Sequence, residues 1–306
     1  MSKHLVHVGF AKAGSTFLQK WFREHPQLLY EPEGIAGFCS VGEISADRDP
    51  DCVSRYYVTS AEGLVIGWRA TKGSHALELK QEGCRSDTEL ARRQVRICQT
   101  LSNIFPAARV LIVTRGYQGF IRSGYSEYVK FGGDWTFAQY TGIVRPLLLQ
   151  ALDINHLVRL YSAAFGEANV ILLPYELLRD NRRGFIALLE ERLGLDHHDI
   201  DPGRLNASLS PHELYWYPKI SRMLLTFPAR ILSDRWVDRL YVEYSRRCVR
   251  PNRLRRPIKV LDRLFTQRKM QDSLPVGYLD AFKEKGTILR DNPLYADYAG
   301  EYLLDG

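Results

Sequence analysis

The chain lacks any CxxC pair, and its five cysteines, Cys39, Cys52, Cys84, Cys98 and Cys248, stand far apart. An odd, scattered set argues against a zinc cluster and against a disulfide scaffold, and it suits a reducing compartment. No apolar run reaches the roughly 20 residues that a membrane-crossing helix needs. Few residues precede the first strand-like run, so no leader peptide is expected, and the sequence reads as cytoplasmic. Internal repeats and low-complexity runs are missing as well. At 306 residues, 45% of them hydrophobic, the chain has enough apolar surface to bury a large core without covalent staples.

Acidic balance is also missing from one stretch. The formal net charge is +7, yet residues 219–269 hold 15 Lys/Arg and 4 Asp/Glu, about +11, which leaves about −4 for the rest. Leu224, Leu225, Phe227, Ile231, Leu232, Trp236, Leu240 and Tyr241 are interleaved with those cations. Such a stretch suits an amphipathic surface against anionic lipid, a groove for an acidic polysaccharide, or a solvated helical face. Nucleic-acid binding would use the same charge, but no recognition motif accompanies it, and none is expected.

What is present is an alternation of strands and helices. Residues 5–10 read as a first strand. A helix opens near Ser15 with Phe17, Leu18, Trp21 and Phe22 at helical spacing, and His25–Pro26 ends it. A strand follows at 54–59, a helix at 88–104, and the short apolar run RVLIVT at 109–114 has the character of a buried parallel strand. Helices are expected at 120–130, 135–150, 153–165 and 181–193, with another buried strand at 169–173. This order implies a parallel sheet covered by helices, an α/β three-layer fold of the P-loop NTPase kind. From Ser210 onward no strand is evident. The division expected is a core at 1–210, with a helical basic part at 211–306 packed on the same domain.

The strongest local signal is GFAKAGST, residues 9–16, between a strand and a helix. Glycines let backbone N–H groups approach an anion, and the helix N-terminus adds the positive end of its dipole. Ser15 and Thr16 bring hydroxyl donors. Gly9 and Gly14 keep the Walker A spacing, but Ser15 stands where that motif has lysine, and Lys12 lies earlier in the loop. The strand RVLIVT ends in Thr114–Arg115 rather than in a metal-binding aspartate. The usual nucleoside-triphosphate geometry is therefore absent while the anion cradle remains. A second anion site is suggested at Arg115, at a strand tip where parallel sheets place ligands, with Ser123 eight residues on.

AKAGSTFLQKWF resembles the 5′-phosphosulfate loop of the sulfotransferases that use 3′-phosphoadenosine 5′-phosphosulfate (PAPS). VLIVTRGYQGFIRSGYSEYVKFGG resembles their 3′-phosphate motif, with arginine and serine eight apart. ILLPYELLRDN resembles the family's strand followed by Tyr-Glu, and NASLSP at 206–211 resembles a short motif of bacterial members. The likeness covers residues 4–211. The sequence departs from the family pattern in having Ala11 where many members have proline, and Gly116–Tyr117 after the arginine. The glycine-rich C-terminal loop of the eukaryotic enzymes is not evident.

The resemblance implies that Lys12 meets the bridging oxygen or the 5′-phosphate of the donor. Ala13, Gly14, Ser15, Thr16 and Phe17 line the phosphosulfate loop, Arg115 and Ser123 hold the 3′-phosphate, and Tyr175 packs near the adenine. No metal is expected, and the product would be adenosine 3′,5′-bisphosphate (PAP). For the base that takes the acceptor's proton the candidates are Glu62, in a segment (58–67) that resembles one placing a carboxylate after the second strand, then His75, then His7. The acceptor suggested is a carbohydrate or lipid-linked glycan. Two other readings stay open: a P-loop kinase acting on a small molecule, and a non-enzymatic basic protein bound to membrane or nucleic acid.

Overall fold

A computed structural model of the chain describes residues 3–30, 54–60, 87–200, 209–226, 253–265 and 273–304, together with Trp236, Arg239, Val242, Glu243, Tyr244 and Arg246. Among these, five strands make one sheet: β1 (Lys3–His7), β2 (Leu28–Tyr30), β3 (Tyr56–Ser60), β4 (Arg109–Thr114) and β5 (Val170–Pro174). Their order is β2-β3-β1-β4-β5, and every pairing is parallel. The central strands are buried on both faces, which is why RVLIVT reads as a continuous apolar run.

β1 continues into α1 (Ser15–Glu24), which packs on β2 and β3. β4 continues into α3 (Tyr117–Lys130), and the chain then builds outward to β5 through α4 (Phe137–Ala151) and α5 (Ile154–Phe165). The chain thus leaves β1 towards one edge of the sheet and β4 towards the other. The crevice at the carboxyl ends of these two neighbours is where such sheets bind ligands. α2 (Asp87–Ile104) packs on α4 and α5.

Local patterns explain these elements. In α1 the predicted stripe of Phe17, Leu18, Trp21 and Phe22 is buried, and each such side chain contributes about 1.5–3 kcal/mol. α4 opens on a reciprocal capping box between Thr136 and Gln139. The expected strand at 5–10 is shorter as a ladder element, ending at His7. Even so, the N–H groups of Val8 and Phe10 still donate to Leu111 and Val113 of β4, each at 3.0 Å. The three-residue β2 and the helix α6 (Tyr175–Asp180) were not expected from sequence; α7 (Arg182–Leu193) was.

Beyond the sheet, α8 (Pro211–Thr226), α9 (Arg255–Leu264), three short 3-10 turns between 279 and 298, and α10 (Ala299–Tyr302) follow. Ser210 and Glu213 cap α8, and the Leu209 N–H donates to Ser126 Oγ of α3 at 3.2 Å. Tyr278, Phe282, Leu289, Tyr295 and Tyr302 belong to the same buried cluster as the sheet. Of the five cysteines only Cys98 lies among the described residues. It is buried, and burial pushes its thiol up to about 11.

Two buried imidazoles give the fold a pH dependence. His7 is wholly enclosed in β1, with Nδ1 2.8 Å from Ser60 Oγ, and burial pushes its pKa down to about 4. That describes a neutral, packed ring. His25 is lowered too, first by burial and then by His198, against the upward pull of Glu190. In the unfolded chain both titrate near 6.5, so between about pH 6.5 and 4 the unfolded state binds more protons and stability falls as pH drops. His7 alone accounts for roughly 3 kcal/mol across that window. Urea midpoints measured from pH 7 to 4.5 are expected to fall, and less steeply in His7→Gln. Equal slopes in the two proteins would contradict this.

Candidate functional site

The loop after β1 is held by its backbone. The Ala13 N–H donates to the Phe10 carbonyl at 3.2 Å and closes a four-residue turn. Lys12 is the third residue of that turn, with φ 67°, in the left-handed region where a side chain costs of order 1–3 kcal/mol. Arg115 offsets that strain, because its Nη1 donates to the Lys12 carbonyl. Gly14 has φ 84° and is the N-cap of α1, and a Cβ there would lie 2.4 Å from Leu178 Cδ2. At Gly9 a Cβ would meet the Val113 backbone N at 2.7 Å. The loop is therefore pressed against β4 on one side and against α6 on the other. As a glycine, the cap brings no side chain to the first-turn N–H groups of α1, which leaves the helix end open to an anion.

Arg115 stands at the tip of β4, next to that loop. Its guanidinium stacks on the Tyr175 ring, with Cζ 4.5 Å from the centroid. Its Nε is buried and has no hydrogen-bond partner. Burial pulls its pKa down, while Tyr175 and Glu176 pull it up. The guanidinium stays charged, so an orphaned donor on a desolvated cation leaves room for an anionic ligand. α3 begins two residues later, with Gly116 as its N-cap. Gly119 and Ser123 follow at four-residue spacing on the face that Arg115 approaches, and a Cβ at Gly119 would lie 3.4 Å from Arg115 Nε.

Under these groups lies a buried polar cluster. Glu176 is 1% exposed; its Oε1 accepts from the Gly116 N–H at 3.1 Å and its Oε2 accepts from the Tyr302 hydroxyl. Burial raises its pKa against the pull of those two bonds. Thr114 Oγ1 sits 2.8 Å from the Tyr295 hydroxyl and 3.2 Å from that of Tyr302. The end of β4 and the start of α3 are therefore fixed by α6 and by the last residues of the chain.

The structure brings Lys12, Gly14, Arg115 and Tyr175 together, with Ser123 further along α3. Ala13 and Ser15 are buried. Phe17 is buried too, under the Arg182 guanidinium at 5.4 Å, so only its backbone can serve a ligand. Thr16 is exposed at the start of α1. Glu62 and His75 lie outside the described residues, as do Asn206, Ala207 and Ser208 of NASLSP. His7 is the buried strand residue described above.

Two residues were not singled out from sequence. Glu127 on α3 holds the Lys12 ammonium at 2.9 Å, both side chains being one-third exposed. Glu176 is the buried anchor. The only sequence signal for the first is its place on the helix after Arg115, four residues past Ser123. For the second it is a carboxylate directly after a buried strand. Among the described residues no group of three or more His, Cys, Asp or Glu side chains is placed to hold a metal ion. No described helix is long and apolar enough to cross a membrane.

No family model matches the sequence, and no curated protein matches it. Solved structures that the chain matches include a sulfotransferase from Alicyclobacillus acidocaldarius, with TM-score 0.47 and 14% identity over 79% of this chain and 95% of that one. They also include mouse sulfotransferase SULT7A1 complexed with PAP, with TM-score 0.44 and 13% identity over 98% of this chain and 88% of that one.

Removing the buried anchor should loosen the site from below. Glu176→Ala leaves the Gly116 N–H and the Tyr302 hydroxyl without their acceptor in a dry environment. The expected loss is about 2–4 kcal/mol in urea unfolding. A loss under about 0.5 kcal/mol would show that the cluster does not fix the β4–α3 junction.

Proposed function

We propose that this chain is a sulfotransferase that moves a sulfuryl group from PAPS to a hydroxyl or amine of an acceptor. The observation that carries the reading is the pair of anion subsites at neighbouring strand tips: the open N-terminus of α1 after β1, and the partly orphaned Arg115 after β4. A nucleoside triphosphate places its phosphates in one chain on one cradle. A donor with separate 5′ and 3′ phosphates needs two. The kinase reading is disfavoured by Ser15 at the Walker lysine position and by Thr114–Arg115 where a metal-binding aspartate would follow the strand.

In this reading the backbone N–H groups of residues 14–17 and the Ser15 and Thr16 hydroxyls hold the 5′-phosphosulfate. Arg115 and Ser123 hold the 3′-phosphate, and Tyr175, fixed beneath Arg115, offers a flat face to the adenine. The acceptor oxygen bonds to sulfur as the bond from sulfur to the bridging oxygen breaks, the acceptor proton passes to a base, and PAP leaves. Lys12 serves that step by meeting the charge that grows on the leaving oxygen, an interaction stronger in the transition state than before it. Glu127, 2.9 Å from the ammonium, keeps it beside the loop. Glu62 is proposed as the base, with His75 second. Glu62 follows Ser60 by two residues, and Ser60 is paired in register with His7 at the end of β1.

The acceptor class proposed is a carbohydrate or lipid-linked glycan, met in the cytoplasm at an anionic membrane face. Support comes from the cationic stretch at 219–269 and from apolar side chains exposed within it: Met223, Trp236, Val260, Leu264 and Phe265 are each more than half exposed. The part at 211–306 is proposed to belong to the same domain as 1–210, as the bonds from Tyr295 and Tyr302 to Thr114 suggest.

Calorimetric titration with PAP and with ADP tests the reaction class. PAP is expected to bind about 100-fold more tightly than ADP, and Arg115→Ala should remove most of that preference, since a charge-assisted phosphate contact contributes about 1.5–3 kcal/mol. Equal binding of PAP and ADP, or no binding of either, would overturn the reading. Sedimentation with phosphatidylserine vesicles tests the membrane contact. Pelleting at low salt that is lost at high salt, and absent with neutral vesicles, is expected. If the protein stays in the supernatant throughout, the basic stretch is a solvated face.

A further inference from the structure

A second arginine, Arg179 on α6, is linked to the surroundings of Arg115 through Glu301. Its positive charge adds a small downward pull on Arg115. Arg179 is held by Asp180, at 2.7 and 2.8 Å, and by Glu301, whose Oε1 accepts from Nη1 and Nη2 at 3.3 Å each. The other carboxylate oxygen of Glu301 faces the first turn of α3. A Cβ at Gly116 would lie 2.8 Å from it, and one at Gly119 would lie 4.0 Å from it. The same Gly119 position is 3.4 Å from the orphaned Arg115 Nε. The Glu301 carboxylate thus reaches from Arg179 on one side to Gly116 and Gly119, next to Arg115 Nε, on the other.

We propose that Glu301 occupies the 3′-phosphate subsite of the free protein as an internal counter-ion. Arg179 is then a second arginine of that subsite, passed from Glu301 to the ligand's phosphate when nucleotide binds. The proposal rests on the donor reading given above. A carboxylate brings one negative charge and meets Arg179 only at 3.3 Å, whereas a 3′-phosphate brings nearly two charges and three acceptor oxygens to the same fork of donors. The exchange needs no movement of the backbone. Tyr302, next in sequence, is anchored through its hydroxyl to Glu176 and Thr114, so the segment stays in place. The Glu301 side chain, about one-third exposed, swings out. Exposed ion pairs of this kind contribute about 0–1 kcal/mol, so giving one up costs little.

Glu301→Gln keeps the shape and removes the charge. In calorimetric titrations it is expected to bind PAP about 2- to 5-fold more tightly than wild type and ADP within about twofold. Arg179→Ala should weaken PAP about 10-fold and leave ADP within about twofold. Circular dichroism and urea midpoints check that both variants fold as wild type does. If wild type shows no preference for PAP over ADP, the donor reading itself fails. If wild type prefers PAP but Glu301→Gln binds it no more tightly, Glu301 is a surface ion pair and the counter-ion role is overturned. If Arg179→Ala weakens PAP and ADP alike, or neither, Arg179 is not part of the subsite.

Discussion

The site depends on how closely β1 and β4 are held at their carboxyl ends. Gly9 allows the backbone after β1 to lie against Val113, and two N–H bonds continue the ladder beyond the last regular residue of β1. Arg115 then ties the tip of β4 to the Lys12 carbonyl. A side chain at Gly9 would push the strands apart, and that tie would be lost with it. The left-handed backbone of Lys12 would then rest on the bond from the Ala13 N–H to the Phe10 carbonyl alone. In the proposed reading one arginine does two things: it fixes the geometry of the first anion subsite and supplies the charge of the second.

This coupling explains why the arginine is supported so heavily from beneath. Tyr175 holds its guanidinium plane, and Glu176, the next residue, holds the Gly116 N–H that follows it. Both come from the first turn of α6, straight after β5, so the outer strand positions the tip of its inner neighbour. A buried carboxylate is a costly way to cap a helix start. Its cost is offset here by two hydrogen bonds, one of them from Tyr302 at the far end of the chain. The C-terminal residues are thus part of the site's foundation.

Sequence reasoning reached the parts of this arrangement that have a local signature. β4 is found within the boundaries its apolar run implies, and the buried stripe of α1 follows its spacing. The loop at 9–16 and the arginine at a strand tip were legible because their chemistry sits in contiguous residues. β2 was missed because three residues carry no period, and α6 because a strand ending in Pro-Tyr-Glu gives no helical stripe of its own. The pairings of Lys12 with Glu127 and of Glu176 with Tyr302 were missed for another reason. They join residues more than a hundred positions apart, and nothing in either local sequence marks the partner.

Charge balance links these features. Lys12, Arg115 and Arg179 concentrate positive charge at the mouth of the crevice, and two helix starts add their dipoles in the same direction. In the free protein each exposed cation is met by a carboxylate: Lys12 by Glu127, and Arg179 by Asp180 and Glu301. Arg115, the least accessible of the three, is left with an unpaired donor. On the counter-ion proposal, the acids at the rim give way to a ligand's phosphate, while Arg115 keeps its unmet donor. That arrangement favours a ligand whose phosphate can reach past the rim to Arg115.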